Sequence, residues 1–387
     1  MHILIIPTGV YPLPQVPLGC IFEQHQAEAL LSVGQKVGVV SGGVITTRYL
    51  GRPFPYRVHD RVNGIPVYRA HRRAYLPARW EPRLAAAERT YIHLRPLMEE
   101  YIRDRGRPDI VHAHNLSSGG LIARRVLEDF GIPYVVTEHT GTYAAESSVV
   151  ERDLPVISPA ADHASAMIAV GGELAGNLRL GLGGEVAGRV VVVPNVVDRV
   201  LLSTPLEERR GPYTVAGLGF LIPGKNYALL LQAFARARLP GDARLVIGGH
   251  GPEHGRLRRL ANRLRLSDRV DFRGDLRRGD VLTLLQGADL FAHPSDGESF
   301  GVVLIEAMAL GVPLLATESG GPQDIVTPDV GLLTPVGDVD AFATGLSEMY
   351  RRRSEFNPEH IREACRERFG PKAFASRMLE FYRRAAS

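Results

Sequence analysis

Glu298 and Glu306 stand eight positions apart in the stretch HPSDGESFGVVLIEAMALG, residues 293–311. Pro294, Ser295, Asp296 and Gly297 have turn chemistry, because proline fixes φ and the others favour tight or capped conformations. From Phe300 the pattern turns apolar with good helix formers, and Gly311 and Pro313 stop it. A loop therefore opens a helix, with Glu298 in the loop and Glu306 about two turns inside the helix. A carboxylate accepts strongly from hydroxyls and can hold two at once. The free N–H groups of a helix start attract phosphate. The same two acids also fit the plain role of complementing a helix dipole, and spacing alone does not choose.

Lys225 is the second conspicuous group. Only Lys36, Lys225 and Lys372 are lysines among 46 basic residues, so a lysine inside a glycine loop marks a place where a compact ammonium serves and a planar guanidinium does not. That loop, GLGFLIPGKN, lacks the spacing of the dinucleotide fingerprint. His112 and His114 share one side of a strand, since side chains alternate, and His114 and His139 both close strands. Ligands in doubly wound sheets sit beyond such strand ends. No further ligands follow at zinc spacing, so no metal is expected. Asp338 and Asp340 form a D-x-D that is read as a helix cap. Gly19 precedes a helix, either as a simple turn or as a point of close backbone approach to a phosphate.

The elements that must position these residues alternate between strand and helix. Residues 2–7 and 36–41 read as buried parallel strands around a helix over 21–33, which is a right-handed crossover unit. Strands are expected at 108–114, 133–137, 166–170 and 190–193. Periodicity lapses over 198–212, and the alternation restarts with strands at 213–216, 244–247, 270–272, 290–292 and 313–316. At 387 residues two domains are expected: 1–200, 201–370, and a helix over 371–387 that packs back on the first. Composition is that of an ordinary globular chain, 45% hydrophobic and 23% charged. Cys20 and Cys365 form no disulfide framework, and no long apolar run or leader is seen, so a cytoplasmic setting is expected. Residues 48–107 are crowded with arginine, mixed with Tyr75, Trp80 and Tyr91, over an exposed excursion and a helix at 81–101. They are a solvated face, or a surface for an anionic acceptor or for lipid headgroups at the inner face of the membrane. No aromatic-interleaved basic stripe points to nucleic acid.

Taken together, HPSDGESFGVVLIEAMALG, GFLIPGKN, IGGHGPE, VDFRG, VVVPNVVD and DIVHAHN followed by VVTEHTGTY resemble the retaining glycosyltransferases of family four, across nearly the whole chain and in the right order. The resemblance implies the GT-B fold: an α/β protein of two Rossmann-like domains facing each other across a cleft, the nucleotide sugar on the second and the acceptor on the first. It gives Glu298 to the hydroxyls of the transferred sugar and Glu306 to the ribose. Lys225 and the backbone at Ser299, Phe300, Gly301 and Val302 go to the diphosphate. Gly19 approaches the diphosphate from the first domain, and His114, Asn115 and His139 lie by the acceptor. Catalysis would rest on His139, Glu298 and Lys225, without metal or cofactor, since the ammonium stabilises the leaving diphosphate. One departure is Phe220, where the family most often has a second diphosphate arginine. That loss amounts to about 2–4 kcal/mol unless replaced, and Arg273 is the candidate replacement. Val196 also stands where glycine is common.

The expectation is a metal-independent, retaining transfer of a sugar from a UDP- or GDP-sugar to a hydroxyl of a glycan, a lipid-linked or a small-molecule acceptor, as in glycan, glycolipid or cell-surface polysaccharide synthesis. The alternatives are a sugar-nucleotide epimerase of the same fold and a nucleotide-binding homologue weakened in catalysis.

Overall fold

The computed structural model describes residues 1–13, 19–45, 57–73 and 82–386, with the side chains of 44, 45, 72 and 73 excepted. The chain divides into two compact units, Met1–Val196 together with the chain from Pro371 on, and Val197–Gly370.

The first unit is built on an eight-stranded sheet in the order β3-β4-β2-β1-β5-β6-β7-β8. The strands are β1 (His2–Ile6), β2 (Lys36–Ile45), β3 (Arg57–Val62), β4 (Ile65–Arg73), β5 (Ile110–His114), β6 (Tyr134–Glu138), β7 (Ala166–Ala169) and β8 (Val190–Val192). All neighbours are parallel except β3 against β4. β1, β5 and β6 are buried along their whole length, which is why they read as unbroken apolar runs. The core is closed by the helix Pro371–Ala386, whose Phe374, Ala375, Met378 and Tyr382 are buried with Ile3, Leu30 and Val135. Truncating a side chain such as Phe374 there costs about 3–5 kcal/mol.

The hairpin of β3 and β4 lies where an exposed excursion is expected, and this is a correction. Ile65 and Val67 are fully buried. Arg69 is buried between them and the end of the strand, where it donates to the Tyr11 and Pro12 carbonyls at 2.6 and 2.9 Å and to Asp60 at 3.2 Å. A guanidinium satisfied in this way is tolerated in a core, and it disguises the strand. Arg48, Arg52, Arg79, Tyr75 and Trp80 lie outside the described residues.

The second unit carries a parallel six-stranded sheet in the order β11-β10-β9-β12-β13-β14. Its strands are β9 (Thr214–Leu218), β10 (Arg244–Gly248), β11 (Val270–Gly274), β12 (Leu290–His293), β13 (Leu314–Thr317) and β14 (Gly331–Thr334). Strands β9 and β12 are neighbours at its centre, so the loops that follow them leave the same end side by side. Asp338 caps the helix Val339–Arg351, its carboxylate accepting from the Asp340 and Ala341 N–H groups at 3.0 and 2.9 Å. The D-x-D is a cap, as its sequence setting indicates.

Candidate functional site

In the second unit the loops after β9 and β12 are stitched together. Pro223–Lys225 make one 3-10 turn, and Asn226, at φ 47°, caps the helix Tyr227–Arg236 with its Oδ1. The Asn226 amide donates across to Asp296 Oδ1 at 2.7 Å. The Asp296 N–H and the Ser295 hydroxyl both donate to the Gly224 carbonyl, at 2.9 and 3.1 Å. These bonds fix Lys225, whose Nζ is ion-paired with Glu298 Oε2. The same oxygen is 3.2 Å from His293 Nε2.

Glu298 is held by its backbone too. Its N–H donates to the Ser319 carbonyl and its carbonyl accepts from Gly321, both at 2.8 Å. The approach needs glycine at 321, because a Cβ there would lie 2.2 Å from Phe300 Cα. Burial alone would raise the Glu298 carboxyl. The His293 hydrogen bond and charge, followed by Lys225, outweigh it and hold the group down to about 2. Glu298 is therefore an anion at every ordinary pH.

The helix that follows is Val302–Ala309, one residue past Gly301 at φ 95°. It begins later than the apolar pattern from Phe300 implies, because Gly301 turns left-handed first. Glu306 is consequently one turn into the helix rather than two, half-buried on a helix whose other residues are mostly buried. Burial pushes its carboxyl up to about 7. Asp198 adds to the shift and Arg278 opposes it. Asp198 is itself buried and paired with Arg278. Ser299 and Phe300 lead into Gly301, and the first N–H groups of the helix lack intrahelical acceptors.

Two residues stand apart from this group. Phe220 is 61% exposed and meets the His250 ring edge-on at 5.2 Å. Arg273 does not join Lys225. It lies on β11, two strands from β9, where its guanidinium pairs with Asp271. It lines a cavity of about 570 Å³ with Arg244, Val246 and Leu284. Arg273 thus has an exposed carboxylate partner of its own. His293 is the functional residue that motif reading passes over. A histidine closing a strand was the available signal, the same one that marks His114 and His139.

In the first unit His114 Nδ1 and His139 Nε2 face each other at 3.1 Å. Asn115, at φ 60°, accepts the His139 N–H on its Oδ1 at 3.1 Å. The structure therefore brings His114, Asn115 and His139 together. What orders them is Glu138, another residue missed, which is buried with Oε1 accepting from the His139 and Thr140 N–H groups at 3.0 and 2.8 Å and Oε2 from Leu116 at 2.9 Å. An acid closing the apolar run PYVVTE was its signal. Gly19 lies at the turn before the helix Ile21–Ser32, and residues 14–18 ahead of it are outside the described set.

The basic span is largely neutralised where it is described. Arg57 pairs with Glu100, Arg83 with Asp153 at 2.8 Å and Arg95 with Asp129 at 2.9 Å, while Arg107 binds the Phe130 and Gly131 carbonyls. Among the described residues no helix is long and apolar enough to cross a membrane.

Comparison with known proteins follows the same division of the chain. Residues 24–200 match the model described as Glycosyltransferase Family 4, and residues 202–368 match that of Glycosyl transferases group 1. The D-inositol 3-phosphate glycosyltransferase of Mycobacteroides abscessus is 30% identical over 313 residues, 75% of this chain and 69% of that one. The N-acetyl-alpha-D-glucosaminyl L-malate synthase of Bacillus anthracis is 36% identical over 156 residues, and the match spans 40% of each chain. Among solved structures, sucrose-phosphate synthase of Thermosynechococcus elongatus superposes with a TM-score of 0.74 at 21% identity over 100% of both chains. The Anabaena HepE protein in complex with UDP does so at 0.70 and 20%, over 98% of this chain and 99% of that one. These likenesses give the fold as GT-B. With both halves matched by the family's models and a relative aligned over most of its length, the chain belongs to family 4 of the glycosyltransferases, group 1.

Proposed function

We propose that the chain transfers a sugar from a UDP- or GDP-sugar to an acceptor hydroxyl with retention and without a metal ion. The observation that carries this reading is the group Lys225, Glu298 and His293 at one end of the second sheet. Glu298, ionised throughout, accepts from hydroxyls of the transferred sugar. Lys225, fixed by the same carboxylate, receives the charge that grows on the leaving diphosphate. N–H groups at the start of Val302–Ala309 take the phosphates, and Glu306 takes the ribose hydroxyls. Gly19 and the trio His114, Asn115 and His139 serve the first unit's side of the reaction. UDP is the first nucleotide to test, because HepE was solved with UDP and with UDP-glucose.

The acceptor's seat in this reading is a cavity of about 290 Å³ in the first unit, lined by Thr8, Gly42, Gly43, Arg83, Ser117 and Ser118. Hydroxyls and bare backbone suit a single polyol ring, and Arg83, paired with Asp153 at 2.8 Å but half exposed, has donors left for an anionic substituent, which accords with the inositol phosphate named for the mycobacterial relatives. Arg83→Ala is expected to raise KM for a phosphorylated cyclitol about 10-fold, the worth of one partly exposed charged hydrogen bond, with kcat and the KM of a neutral polyol little changed.

Glu306 gives a pH dependence. With its folded pKa raised to about 7, the carboxylate that binds ribose is mostly absent at pH 6 and present at pH 8. Affinity for UDP-glucose, whose diphosphate does not titrate in that range, should therefore rise by up to about 10-fold between those values. The rise should vanish in Glu306→Gln, as measured by calorimetry.

The deciding experiment offers a panel of UDP- and GDP-sugars with phosphorylated and neutral polyols and follows the product by NMR. Retention of the donor's anomeric configuration is expected, and inversion overturns the mechanism. A second reading, a nucleotide binder weakened in catalysis, is favoured by exposed Phe220 and by Arg273 being engaged elsewhere. It would appear as tight UDP-glucose binding with no product from any acceptor.

A further inference from the structure

We infer that His114 locks His139 into the tautomer that carries its proton on Nδ1, so that His139 works as a neutral hydrogen-bond donor and not as a base. The nitrogens that face each other, His114 Nδ1 and His139 Nε2, are 3.1 Å apart, and only one of them can carry the shared hydrogen. If His139 supplies it, His114 must place its own proton on Nε2. That atom is buried with no partner among the described residues, and an orphaned buried N–H is among the rarest defects in proteins. If His114 supplies it, Nε2 is left as a bare lone pair. The second arrangement avoids stranding a donor, and it fixes His139 as Nδ1–H, since the bond at one ring nitrogen sets the proton on the other.

The rings cannot rotate out of this arrangement easily. His114 stacks on His139 with centroids 5.3 Å apart and meets His112 at a tilt, 4.4 Å between centroids. His112 is pinned at both ends, Nε2 to the Thr137 hydroxyl and Nδ1 to the Tyr382 hydroxyl, each at 2.7 Å. Tyr382 is fully buried on the helix Pro371–Ala386. The backbone of His139 is held by Asn115 and Glu138. Burial holds His112 down to about 3 and His139 to about 4, and keeps His114 well below its usual range. The three rings are therefore neutral near pH 7, and the question is which nitrogen is protonated rather than whether the ring is charged. His114 is thus a positioning residue that acts through His139.

The inference rests on the transfer reading only for its rate measurement. The direct test records long-range proton–nitrogen correlations of the full-length protein labelled with 15N-histidine, without substrate. A pyrrole-type nitrogen at Nδ1 and a pyridine-type nitrogen at Nε2 of His139 are expected, and the reverse pattern overturns the inference whether or not transfer is ever observed. His114→Asn, whose amide reaches the position of Nδ1, should preserve the pattern, whereas His114→Leu should lose the pattern and about 10-fold or more of the rate. If His114→Leu keeps both, the inference is wrong. If it fails to fold, the wild-type spectrum still decides.

Discussion

Replacing Lys225 with alanine is expected to lower kcat for sugar transfer by about 10²–10³-fold, with a much smaller change in KM. Preorganised charge aimed at a developing anion is worth about 2.7–4 kcal/mol per group, and Lys225 meets the conditions for preorganisation. Its turn is tied to the Ser295–Asp296 loop, and its ammonium is held by Glu298. Phe220, exposed on the same loop, brings no second cation, so the full charge stabilisation falls on Lys225. Arginine at 225 should recover only part of the loss, since a broad planar fork does not fill the place of a compact ammonium. Steady-state rates of the alanine variant with saturating donor would settle the point. A change below about 5-fold would remove Lys225 from the reaction.

Glu298→Gln should produce the second large loss, about 10²-fold in kcat/KM, because an amide keeps the shape but donates where sugar hydroxyls need acceptors and leaves Lys225 and His293 without their shared anion. The substitution also carries a stability signature. The folded pKa of Glu298 lies near 2, below its usual 4.5. Its contribution is therefore fully present above about pH 4.5 and is lost as pH falls toward 2. For a group mostly shielded from solvent this is on the order of 2–3 kcal/mol at neutral pH. Urea midpoints of the wild type and Glu298→Gln should differ most at pH 7, draw together below about pH 4.5 and meet only as pH approaches 2. An equal gap at both ends of this range would show that the ion pair is not the source.

The parallel strands and the motif loops were legible because their causes are local. A buried strand must be apolar along its length, as HILII and PYVVT are, and a helix needs its cap, as Asp338 provides. Glu298 and Lys225 stood out in the sequence by type and spacing. The pairing of Lys225 with Glu298 was not legible, because it depends on β9 and β12 being neighbours, which is a property of strand order and not of either segment. The hairpin of β3 and β4 was hidden by Arg57, Arg61 and Arg69, whose charges read as solvent-facing. For Arg69 only the Tyr11 and Pro12 carbonyls and Asp60 make the burial affordable. Glu138 and His293 escaped for a related reason: each acts by holding a neighbour in place, and a sequence displays residue types more readily than their partners. Arg273 shows the same limit: its motif displays a cation, and Asp271, two residues away on the same face of the strand, is a partner that only the structure shows.

The closing of the first unit's core by Phe374, Met378 and Tyr382 has a consequence for the order of synthesis. On a ribosome, residues 1–196 emerge long before the helix Pro371–Ala386, and until then Ile3, Leu30 and Val135 lack the apolar cover that the finished protein gives them. The second unit, Val197–Gly370, is uninterrupted in sequence. The part of the chain made earliest is thus completed late, and any product that stops before Tyr382 leaves His112 with only one of its two hydroxyl partners, so that the histidine cluster waits for a helix that is made after the whole of the second unit.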